Sequence, residues 1–172
     1  MEIAVGKFSV GLWILESVSL LVAIITLGVF INTTEDEIHK WNNIGALTYG
    51  LSVTIISIIS FVPMIVFHLR INAYRQVLWS KVILGLLIFT AGCVIANTRT
   101  NYGKDEKDTT IGRMTFCQWL KESKNHVNCD YLVSSSAFCF VASFTLIIEA
   151  FIMMMKRRRE NQSNNQSSDR ML

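Results

Sequence analysis

Charge is what this chain has least of. Only 17% of its 172 residues are Asp, Glu, Lys or Arg, against about a quarter in an average soluble domain. The deficit is concentrated. Residues 8–31, 44–67, 77–96 and 131–155 total 93 positions and hold three of the 29 charges: Glu16, Lys81 and Glu149. Each stretch has 20 residues or more, enough for a helix to cross a hydrocarbon core of ~30 Å. A soluble globular domain, a disordered chain and a nucleic-acid binder are thereby excluded. Proline is nearly missing too. Pro63 stands alone, where it removes a backbone donor and is expected to kink the end of the second stretch. The sequence predicts an all-α fold, a four-helix transmembrane bundle.

Extramembrane mass is the next shortage. No piece outside the spans exceeds 34 residues, too few for an independent core of the usual domain size. A soluble catalytic or receptor domain is therefore excluded. The chain also has no His-Glu-x-x-His, no Gly-x-Ser-x-Gly elbow, no Gly-x-Gly-x-x-Gly and no phosphate-binding loop. Its histidines, His39, His68 and His126, are scattered. No enzyme activity, cofactor or metal is expected. The first apolar stretch is too long for the core of a signal peptide and is interrupted by Glu16, so it reads as a retained span.

What is present sets the orientation. Four spans put both termini on one side. Lys and Arg near helix ends in short loops favour the cytosol. The connector 68–76 carries Arg70 and Arg75, and Lys156, Arg157, Arg158 and Arg159 follow the last span directly. Both votes make the termini cytosolic. Residues 1–155 then form one four-span domain, and 156–172 a basic cytosolic tail. Its Asn, Gln and Ser content without apolar anchors predicts disorder. Trp13, Trp41, Trp79 and Tyr131 fall near span ends, the level aromatic residues favour.

Two cysteines, Cys117 and Cys129, lie in the longest loop, 97–130. A disulfide between them persists on an oxidising face, consistent with this orientation. With His126 the same pair could approach a metal, but three ligands without a Cys-x-x-Cys make a weak site. A simple bridge closing a small loop is the favoured reading. Cys93 and Cys139 fall within spans and are expected to be packed thiols.

The intramembrane charges are the sharpest signal. Glu16 lies eight residues into its span and Glu149 seven before Lys156. At ~1.5 Å per residue their depths match. Lys81 enters from the same side. The three can meet as one polar cluster, with ion pairing offsetting part of the desolvation cost, either as a structural pairing or in a transport or catalytic role such as a proton-linked site or a lipid-headgroup pocket. Alternatively Lys81 snorkels and each glutamate is protonated or hydrated near the interface. Small residues recur every fourth position as Ala46, Gly50 and Thr54; Gly92 and Ala96; and Ser135, Cys139 and Ser143. Such stripes let helices approach closely in lipid, within one bundle or between subunits.

These features together resemble the MARVEL-type tetraspan family, in particular its small fungal members akin to the non-classical export proteins. The resemblance rests on cytosolic termini, a short first connector and a short basic second one. A cysteine-bearing outer loop then leads into a last span rich in small and aromatic residues, from Cys129 and Asp130 through Tyr131, Ser134, Ser135, Ser136, Ala137 and Phe138 to Cys139 and Phe140. It covers roughly residues 5–155 as a pattern. Claudins need a Trp and paired Cys in a large first loop, and tetraspanins a Cys-Cys-Gly in a larger second one. The resemblance implies membrane organisation: lateral domains, vesicle traffic or membrane apposition.

The expectation is a non-catalytic multi-pass membrane protein that organises lateral domains or trafficking through helix packing and lipid contact. Its partners would be membrane lipids, including anionic ones, and copies of itself or other membrane proteins. The plasma membrane is favoured over internal secretory-pathway membranes. The basic run 156–159 would contact lipid headgroups, or serve only as a stop-transfer anchor. The rival reading is a small transporter or accessory subunit of a channel or membrane enzyme, using Glu16, Lys81 and Glu149.

Overall fold

A computed structural model of the chain describes residues 2–41, 44–68, 74–104, 106–109, 112–123 and 128–169. The long elements are α1 (Glu2–Trp41), α2 (Ile44–His68), α3 (Tyr74–Tyr102) and α5 (Asp130–Asp169). Between α3 and α5 lie β1 (Glu106–Thr109), β2 (Gly112–Thr115) and the short α4 (Phe116–Ser123). Three helices are long and apolar enough to cross a membrane, over Gly11–Thr34, Arg75–Tyr102 and Asp130–Arg159. The 25-residue α2 carries a shorter apolar stretch, Gly45–Ser60, and stays helical through Pro63. Helix is the form that satisfies every backbone polar group without water.

The long helices close into a ring in which α5 packs on α3 and α1, and α2 packs on α3 and α1. Their buried stripes follow helical spacing: Leu20, Ala23, Leu27 and Phe30 on α1, Leu84, Ile88, Ala91 and Ile95 on α3, Leu132, Cys139, Ala142 and Leu146 on α5. The outward faces are equally apolar. Ile14, Leu21 and Ile25, Ile55, Ile56 and Ile59, Ile83 and Leu86, and Phe144, Ile147 and Phe151 are all exposed. The buried polar side chains include Ser19, Thr54, Ser57, Lys81, Ser135, Ser136, Ser143 and Glu149. Such a distribution suits lipid outside and hydrogen bonds within.

Beyond α3 the chain forms a compact cap. β1 and β2 pair antiparallel from Glu106 opposite Thr115 to Thr109 opposite Gly112. Gly112 has φ 130°, a conformation that a side chain would strain. α4 opens on a reciprocal cap. The Thr115 N–H donates to Gln118 Oε1 at 3.1 Å, and the Gln118 N–H to Thr115 Oγ1 at 3.3 Å, satisfying two donors that the helix start leaves unpaired. Phe116 and Leu120, one helical turn apart, are both fully buried against the bundle end. The Phe116 ring lies 4.6 Å from Tyr102 and 6.0 Å from Trp119.

Among the described residues the regular structure is helical except for the hairpin, which sits in the loop 97–130. α5 continues to Asp169, through the first fourteen residues of the tail. Once a span has borne the nucleation cost, each added residue completes a hydrogen bond, and the tail through Asp169 contains no Gly or Pro to stop it. Residues 170–172 lie outside the described ones.

Candidate functional site

Trp13 and Glu16 are one turn apart on α1, so they share a face. Lys81 comes from α3 and Glu149 from α5. Glu16 is 0% exposed, Lys81 2% and Glu149 3%. The structure brings them together at one end of the bundle. Lys81 Nζ donates to Glu149 Oε2 in a buried ion pair. The Trp13 indole Nε1–H donates to the same oxygen at 2.9 Å. Lys81 Nζ also stands 5.3 Å from the centre of the Trp13 ring, within cation–π range. Three helices are thus tied at a single carboxylate oxygen.

Glu16 completes the cluster differently. It lies within electrostatic range of Lys81 and Glu149, yet neither of its carboxyl oxygens has a hydrogen-bond partner among the described residues. Glu149 Oε1 is in the same position. Three buried acceptors therefore lack a hydrogen-bond partner among the described residues. Sequence reasoning placed Trp13 at the membrane interface and missed its role. The signal was its i, i+3 spacing from Glu16.

The small residues expected to pack helices divide between two neighbours. Ser135 Oγ donates to the Ala23 carbonyl of α1 at 3.1 Å. Ser143 Oγ donates to the Gly85 carbonyl of α3 at 2.8 Å, and Ser136 Oγ to that of Gly92 at 3.0 Å. The α3–α5 seam is antiparallel and repeats every seven residues, Gly85 and Gly92 against Ser143 and Ser136. The four-residue stripe Ser135, Cys139, Ser143 is therefore not one interface. A Cβ on Gly92 would lie 3.1 Å from Phe140 and 3.2 Å from Cys139. One on Gly50 would meet Ile95 at 2.9 Å. Ala46 and Ala96 are half-buried. Gly85 and Ser136 were missed because the search followed a spacing of four.

At the other end Cys117 and Cys129 are disulfide-bonded, with Cα atoms 5.6 Å apart. The bridge ties α4 to the start of α5. His126 lies outside the described residues, and no group of three His, Cys, Asp or Glu able to hold a metal occurs among them. Cys139 is buried as expected of a packed thiol, but Cys93 is exposed on the apolar outer face of α3. Lys156, Arg157, Arg158 and Arg159 are all exposed. They begin seven residues beyond Glu149, roughly 10 Å along the helix. No protein family, curated protein or solved structure matches the chain.

Proposed function

We propose that the protein is a four-span, non-catalytic membrane organiser with both termini in the cytosol. It acts on lateral domains or vesicle traffic through helix packing and lipid contact, as the MARVEL-type resemblance implies. In this reading α2 is the second span, its 25 residues reaching ~37 Å. The observation that carries it is the inside-out distribution of side chains. Serine and glycine contacts are spent between the helices, while isoleucine, leucine and phenylalanine face outward. What the molecule offers its surroundings is an apolar shell and, at the end of the last span, a collar of four exposed basic residues. Those surfaces suit lipids and other membrane-embedded chains. The collar adds on the order of 1 kcal/mol per basic residue toward anionic lipid. The plasma membrane, with its anionic inner leaflet, is the natural site.

Labelled protein reconstituted into phase-separating giant vesicles tests this. The wild type should concentrate in the anionic-lipid-rich phase. Replacing Lys156, Arg157, Arg158 and Arg159 with Gln should weaken that enrichment while the helices stay folded. Equal partitioning of both proteins would reduce the collar to a stop-transfer anchor.

A second reading is favoured by one specific feature, the unpartnered Glu16 beside the Lys81–Glu149 pair. A transporter or accessory subunit would use that cluster. Proteoliposome flux separates the two, since a transporter moves solute unaided and an organiser does not.

A further inference from the structure

We infer that Glu16 and Glu149 together form a site that takes up and releases one proton, with Lys81 fixing the count. The inference rests on α1, α3 and α5 crossing the bilayer and on no particular choice between organiser and transporter. The geometry supplies two independent observations. The first is the charge inventory, two carboxyl groups against one ammonium in a place closed to water. The second is the set of unsatisfied acceptors. Both Glu16 oxygens and Glu149 Oε1 are buried and have no hydrogen-bond partner among the described residues, while the Trp13 indole N–H and one N–H of Lys81 go to Glu149 Oε2.

A buried carboxylate without a donor or counter-charge is costly. One proton corrects both faults, since it removes the surplus negative charge and converts an acceptor into an O–H donor. It forms an O–H bond to a carboxyl oxygen as one O–H bond of a solvent hydronium breaks, leaving water, and release returns the proton to water. A larger cation would have to share the cluster with the Lys81 ammonium, which repels it. Among residues whose side chains are described, the ionisable groups next along these helices are Arg75, six residues before Lys81 on α3, and Lys156, seven beyond Glu149 on α5, both exposed. Among described residues, α1 contributes Glu16, α3 Lys81 and α5 Glu149. The titratable group of α2 within Gly45–Ser60 is Tyr49, which meets Thr90 at 3.3 Å, nine residues along α3 from Lys81.

Neutrality of the whole cluster makes the inference testable by counting. Infrared spectra of the full chain in nanodiscs, recorded through the pH range in which it stays folded, report the C=O stretch of a protonated carboxyl by its shift in D2O. The wild type should show one such band, titrating as a single group. Glu16→Gln should abolish it, and so should Glu149→Gln, which leaves Lys81 to balance Glu16. Lys81→Met should double it, because both carboxyls must then be neutral. Glu16→Asp keeps an acid in place and should move the band without removing it, a check if Glu16→Gln fails to fold. A titrating band untouched by the Glu16 and Glu149 variants, or no band at any pH, overturns the inference. Tag accessibility in sealed vesicles reports separately whether the helices span.

Discussion

The two ends of the bundle are held by different chemistry. At one, Trp13, Lys81 and Glu149 join α1, α3 and α5 through a single carboxylate oxygen, with Glu16 buried alongside. At the other, a disulfide, a helix cap and the rings of Tyr102, Phe116 and Trp119 close the chain over the helix ends. The charged end is built inside the apolar spans, where a polar group must find a partner or lose several kcal/mol. The bridged end is built from the connector, where water can solvate what packing leaves over. The two ends should therefore respond separately, one to charge balance and the other to reduction of the disulfide.

The largest effect should come from Lys81→Met, which leaves Glu149 buried without its counter-charge. Breaking such a pair costs ~3–5 kcal/mol, read as a loss of thermal stability in detergent. Adding Glu149→Gln should recover much of it. Strict additivity in that cycle would show that the pair does not act as a unit. Next is Cys117→Ser, worth ~3 kcal/mol on the loop-closure estimate. Its signature is regional, with faster amide exchange through residues 112–123 and little change around residues 81 and 149. Exchange rising equally at both ends would erase the comparison.

Between the ends runs the α3–α5 seam, which sharpens the contrast because it uses neither charge nor covalent bond. Gly92→Leu should cost about 1–3 kcal/mol through overpacking against Phe140 and Cys139. Gly28→Leu should be nearly neutral, since nothing lies within 4 Å of a Cβ there. Equal losses would show that the close approach at Gly92 does not set the cost, since helix propensity by itself favours Leu over Gly at both positions. The smallest effect is Ser136→Ala, ~0.6 kcal/mol for one hydrogen bond between helices. A loss as large as that of Lys81→Met would move the structural centre of the protein to the seam.

The three long apolar helices were legible because hydrocarbon transfer dominates every other term over 20 residues, and charge-free runs are visible without knowing the fold. The meeting of Lys81 with Glu149 was legible for a related reason, since helical rise converts sequence position into depth. Depth says nothing of azimuth, so the sharing of Glu149 Oε2 with Trp13 could not be read. The seam was half-legible. Glycine and serine announced close contact, but only the antiparallel register of α3 and α5 reveals that Gly85 and Gly92 accept from Ser143 and Ser136. The hairpin was illegible, because Glu106–Thr109 and Gly112–Thr115 have too few apolar residues for an alternating pattern. Pairing and the turn at Gly112 make those strands.

The proposed four-span topology puts the charged end and the bridged end on opposite sides of one membrane, with α2 crossing it. The most direct test is a protease added to sealed vesicles of known sidedness, on chains tagged at either terminus. A four-span chain predicts that both tags share one fate, protected together in right-side-out vesicles and cut together in inverted ones. One tag cut and the other protected in the same vesicles would mean an odd number of crossings, and would contradict the account.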